Sequence, residues 1–96
     1  MPNRLRADFN GLSGNILCLS HEDTRPDQHG VPVALRAGML VTVYEEDSDE
    51  HGERDDLVAT GTVETAPDWL SCRGSKWVLR IDENGVRHES DIRSDR

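Results

Sequence analysis

The chain is predicted to be all-β, and three observations carry that class. The segments MLVTVYEE (residues 39–46) and DLVATGTVE (residues 56–64) are rich in β-branched residues and alternate along their length. Asn84-Gly85 lies between two further strand-like runs, WVLRIDE and VRHES, where it suits the paired positive φ angles of a tight hairpin turn. No stretch repeats apolar residues at helical spacing, and Gly and Pro punctuate the 96 residues too often for long helices.

The elements follow in chain order. Residues 1–8 and 93–96 are polar and aperiodic, and are expected to be disordered. After Gly14-Asn15, the run Ile16–Leu19 suits a short buried strand, and SHEDTRPDQHG, residues 20–30, reads as a loop. Val31 to Leu35 contains Pro32 and is at most a short or edge strand, ended by Gly38. A strand then alternates Met39, Val41 and Val43 against Leu40, Thr42 and Tyr44, and the acidic segment EEDSDEHGERDD, residues 45–56, is its loop. Leu57, Ala59, Gly61 and Val63 share one face of the next strand, with Val58, Thr60, Thr62 and Glu64 on the other. Gly61 in its middle implies a bulge or a sharp coil. A two-residue Asn84-Gly85 loop sets Glu83 against Val86, Asp82 against Arg87, Ile81 against His88 and Arg80 against Glu89. Two opposite-charge pairs then face solvent, while Leu79, Ile81, Val86 and His88 face the core. About five short strands cannot leave a flat sheet with one bare apolar face, so closure into a small barrel is expected.

This order of strand, long charged loop, Gly-containing strand and Trp-led hairpin ending in Ser90-Asp91-Ile92 resembles an SH3-like barrel over residues 36–92, preceded by an N-terminal extension. WVLRIDENGVRHESDI is also similar to segments of small uncharacterised bacterial proteins, which implies no activity. The whole of residues 1–96 is read as one domain.

Charge is concentrated rather than spread. The net charge is −8, but residues 45–56 hold eight of the 19 acids and one of the 11 bases, a local −7; the remaining 11 acids and 10 bases leave −1. Aromatics are only 4%, so Val, Leu and Ile must build the core. Neither a secretory signal nor an apolar run of the ~18 residues that span a bilayer is evident, so a cytoplasmic location is expected. Cys18 and Cys72 match no CxxC spacing and are expected to be reduced, buried thiols.

Five kinds of site compete. A calcium loop starting at Asp47 finds Asp49, His51 and Gly52 in place but puts Val58 where a bidentate Glu belongs, so a mobile, metal-free, solvated hairpin loop is expected instead. His21, Glu22, Asp23, Asp27 and His29 could gather around a transition metal or serve a small enzyme, although two His eight residues apart in a loop have no fixed geometry. Cys72 before Arg73 is the thiol better placed for a lowered pKa, yet no spacing pairs it with a base. Arg73, Lys76, Arg80 and Arg87 gather at the C-terminal hairpin, which would allow an accessory role in a nucleic-acid complex. Two of them are assigned to acids, and the acidic loop repels polyanions. The favoured reading is a non-enzymatic protein- or peptide-binding module with no cofactor and no metal. In it Tyr44 and Trp69, beside Glu45 and Asp68, form an aromatic and acidic platform for a basic partner, while Trp77 belongs to the core.

Overall fold

A computed structural model describes residues 4–69 and 75–93, the side chains of Ile92 and Arg93 excepted. The described residues are mostly strand: β1 (Arg4–Arg6), β2 (Leu12–Ser13), β3 (Ile16–Ser20), β4 (Thr24–Pro26), β5 (Pro32–Ala34), β6 (Leu40–Glu45), β7 (Leu57–Thr65), β8 (Trp77–Ile81) and β9 (Arg87–His88). A 3₁₀ turn spans Phe9–Gly11, and one helical turn, α1, spans Glu89–Arg93. The class is all-β, with more strands than the five expected.

The main sheet runs β1-β6-β7-β8-β3-β2, with β9 also on β7, and β4 pairs with β5 in a separate hairpin. Its centre is β7. The strand pairs with β6 from Glu45↔Leu57 to Leu40↔Thr62 on one side, and with β8 from Gly61↔Ile81 to Thr65↔Trp77 on the other. The predicted alternation holds here: Ala59, Gly61 and Val63 are buried on the inner face, as are Val41 and Val43 on β6. A Cβ built on Gly61 would lie 2.2 Å from the Arg80 carbonyl oxygen and 2.9 Å from Ile81 Cα. Only glycine lets β8 pass so close; the pairing on both sides of Gly61 keeps its register, so the expected bulge is absent and a close backbone approach takes its place.

The last hairpin differs from its predicted register. Leu79 and Ile81 are buried and Arg80 exposed, as expected, but β8 and β9 do not pair with each other. Both lie antiparallel on β7, where Leu57 faces His88 and Val58 faces Arg87. The intervening chain turns because the Asp82 side chain accepts from Asn84 N–H and the Asp82 carbonyl from Gly85 N–H. Arg80 consequently pairs with Glu64 rather than Glu89, at 2.9 Å and 3.1 Å.

The first third of the chain is built into the core rather than appended to it. Residues 4–6, expected to be disordered, form β1 parallel to β6, with Leu5 0% exposed. Of the C-terminal residues expected to be disordered, Arg93 ends α1, and 94–96 lie outside the described residues. The stretch read as a loop over 20–30 contains β4, which pairs with β5 through Arg25↔Val33. One apolar cluster joins Leu5, Leu17, Leu19 and Leu35 to Val43, Val63, Leu79 and Ile81, with Trp77 packed against it.

Gly61→Ala is expected to destabilise the fold by about 3 kcal/mol, because the clash is with backbone that no side-chain rotation relieves. Gly52→Ala, at φ 79° with open space around it, should lose only about 1 kcal/mol through its left-handed backbone. Urea denaturation of the two variants checks the ranking.

Candidate functional site

The two ends of β7 carry different chemistry. At the end where β6 leads into β7, the acidic segment forms a second hairpin with its own bonds: Ser48 bridges Arg54, Asp49 N–H donates to the Glu53 carbonyl, and Asp55 N–H to that of Asp47. Gly52, at positive φ, makes the turn, and Asp49 Oδ1 accepts from His51 N–H at 2.8 Å and Glu53 N–H at 2.9 Å. The acids a calcium loop would converge on one ion are therefore engaged separately. Asp49 holds the tip, Asp47 Oδ2 meets His88 Nε2 at 3.1 Å, and Asp55 accepts from Ser90 N–H and Oγ–H. Among the described residues no group of three or more His, Cys, Asp and Glu side chains could hold a metal ion.

Cations fasten this hairpin to the sheet. Buried Asp56 takes a two-pronged contact from Arg54, which also reaches Glu46 at 3.4 Å. These carboxylates, Asp56 first, hold the Arg54 guanidinium above its ordinary pKa. Arg6 lies over the Tyr44 ring at 5.4 Å and touches Glu46 at 3.5 Å. Tyr44 itself is 3% exposed. Glu45 is half-buried, its Oε1 accepting from Phe9 N–H at 3.1 Å.

Trp69 and Asp68 lie at the other end of the sheet. Trp69 is 75% exposed, in a turn with exposed Asp68. From Val58, opposite Tyr44, to Thr65 is seven residues of strand, roughly 23 Å, and the hairpin continues outward through the Ala66 N–H bond to the Lys76 carbonyl. The structure does not bring Trp69 and Asp68 together with Tyr44 and Glu45. The platform expected from the sequence is two separate surfaces, with Tyr44 covered by Arg6 rather than open.

The remaining candidates are also dispersed. His21 precedes β4 and His29 sits in the turn after it, its N–H on Asp27 Oδ1. His88 faces Leu57 and not Ile81. Cys18 is half-buried and disulfide-bonded, which corrects the expectation of reduced thiols; Cys72, the one other cysteine of the chain, and Arg73 lie outside the described residues. Trp77 keeps its expected place against the core, but its indole N–H reaches Asp23 Oδ1 at 3.1 Å. The same oxygen takes the Lys76 ammonium at 2.7 Å, tying the turn before β4 to β8.

Sequence reasoning missed Arg6 and Arg54 as organisers of the acidic end. Arg4-Leu5-Arg6, with one apolar residue, is too short an alternation to have signalled the first. Comparison with protein-family models, with curated proteins and with solved structures finds no match for this chain.

The Lys76 contact, and after it the Trp77 contact, lowers the Asp23 pKa from 3.8. A lowered carboxylate contributes its contact above the ordinary value and loses it as pH falls through the lowered one. In a Trp69→Phe background, Trp77 fluorescence should therefore change with a midpoint below 3.8, and Asp23→Asn should abolish that transition.

Proposed function

We propose that this chain is a non-enzymatic protein-interaction module whose acidic hairpin recruits a basic partner. The observation that carries the reading is a hairpin held in one shape by Arg54, Arg6, His88 and Ser90 while its tip acids Glu50 and Glu53 face solvent. Fixed like charges on a projecting element create a local field that steers a cationic surface, and preorganisation lowers the entropy lost on contact. Trp69 and Asp68 offer a second, smaller surface at the far end, suited to an apolar or proline-containing segment.

We also propose that the sheet is the SH3-like barrel expected from the sequence. The consecutive antiparallel pairing of β6, β7 and β8, the close approach at Gly61 and the Leu5–Asp27 bridge, which draws the β4–β5 hairpin toward the β1 edge, support that reading. No described helix is long and apolar enough to cross a membrane. The cytoplasmic location proposed with it is opposed by the disulfide on Cys18, because such bonds persist mainly in oxidising compartments.

The chain as bait in an extract of its native host, compared with Glu50→Gln/Glu53→Gln and with Trp69→Ala, tests the reading. A partner rich in Lys and Arg should be retained at low salt and lost above a few hundred millimolar, and the doubly neutralised tip should slow its association several-fold. Retention indifferent to salt and to the tip would overturn the acidic-hairpin reading.

A further inference from the structure

The acidic end already holds one basic, extended segment, and that segment belongs to the chain itself. The first strand pairs in parallel with β6 through Arg4↔Thr42, Leu5↔Val43 and Arg6↔Tyr44, and the ladder continues with Ala7 N–H on the Tyr44 carbonyl at 2.9 Å. Its side chains alternate as strand geometry requires. Leu5 is fully buried in the core, while the flanking arginines lie on the opposite face. There Arg6 covers the Tyr44 ring and meets Glu46, and Arg4 meets Glu89 Oε1 at 3.1 Å.

Three recognition elements coincide: backbone pairing along a strand edge, a socket for one apolar side chain, and an aromatic ring with carboxylates for the cations on either side. Strand addition to a sheet edge uses this division of labour, with the main chain supplying affinity and the alternate side chains specificity. The two ion pairs that hold β1 are partly solvated, with both Arg side chains 39–50% exposed, while Leu5 is bridged on its other edge to Asp27 and is buried with Ala7 in the core. By contrast, β6 and β7 are joined by six consecutive residue pairs.

We infer that the β6 edge from Thr42 to Glu46 is a docking edge for an extended Arg-apolar-Arg segment of a partner protein, and that β1 occupies it in cis as a displaceable stand-in. This rests on reading the chain as a module for basic partners and names the segment that such a partner presents. A partner carrying the same alternation makes the same contacts, so displacement exchanges like for like. Charge complementarity comes from Glu46 and Glu89, with the acidic hairpin adjoining.

The test is fluorescence anisotropy with a labelled peptide of residues 2–9, PNRLRADF, and its control PNALAADF, titrated into the full chain and into its Arg4→Ala/Arg6→Ala variant. Loosening the cis strand should tighten binding of PNRLRADF by about tenfold, and the control peptide should bind about tenfold more weakly, as expected from losing one cation–π and two ion-pair contacts. Equal affinity of parent and variant, or equal affinity of the two peptides, overturns the inference. Hydrogen exchange on the unaltered chain needs no variant to fold. The Ala7 amide should exchange through a local opening at least about tenfold faster than the β7 amides, and exchange at the β7 rate overturns the inference. Repeating the titration with Glu50→Gln/Glu53→Gln separates the two readings. Arginine-dependent binding that ignores the tip supports the docking edge and removes the steering role of the hairpin.

Discussion

The passage of the Arg80 carbonyl over Gly61 is the constraint on which the rest of the molecule depends. With a bare Cα at that point, β8 can press onto β7 and fold its inner face, Leu79 and Ile81, over Val63 and against Leu17 of β3. A side chain there would hold β8 away and flatten the sheet, leaving the same residues without partners. Because β8 leaves β7 at Gly61, the remaining Leu57–Val58 end of β7 is open for β9, which places α1 and Glu89 beside the acidic hairpin. A steric fact at the centre of the sheet thus decides which charged groups meet at its edge.

Charge at that edge is organised by cations rather than diluted by solvent. Eight acids in twelve residues would repel one another in a free loop. Arg54 against Asp56 and Glu46, Arg6 against Glu46, and His88 against Asp47 give the hairpin a fixed position, and Asp49 closes its tip with backbone N–H groups. Apart from the contact to buried Asp56, these pairs are exposed and individually contribute little, on the order of 1 kcal/mol or less. Their joint effect is geometric: Glu50 and Glu53 are left facing solvent while their neighbours anchor the hairpin.

The parts of this fold that were legible in the sequence are those where side-chain alternation and burial agree. The strands around Val41–Val43, Ala59–Val63 and Leu79–Ile81 announced themselves through β-branched alternation, and Gly61 through its isolation in such a run. β1 and β4 were not legible, because Arg-Leu-Arg offers a single apolar residue and Thr-Arg-Pro none. Their strand character comes from tertiary pairing. The chain does turn near Asn84-Gly85, with Gly85 at φ 67°, but the hydrogen-bonded turn runs from Asp82 to Gly85 with Glu83 and Asn84 at its centre, and the segments it joins are not paired with each other. Nine-residue β7 offers both flanking segments a longer partner than they offer each other, and local turn chemistry carries no record of that competition. The binding platform failed for a related reason. Tyr44 and Trp69 both stand beside acids in the sequence, but the strand direction that puts them at opposite ends of β7 follows only from topology.

Recognition at the acidic end, where the first strand, β6, the hairpin and α1 meet, is the central claim. It is tested most directly by following backbone amide resonances of the isotope-labelled chain during titration with a short arginine-containing peptide. Shifts confined to Ala7, residues 42–56 and residues 88–90 are the predicted result. Shifts centred on Asp68, Trp69 and Trp77, with the acidic end unmoved, would contradict it.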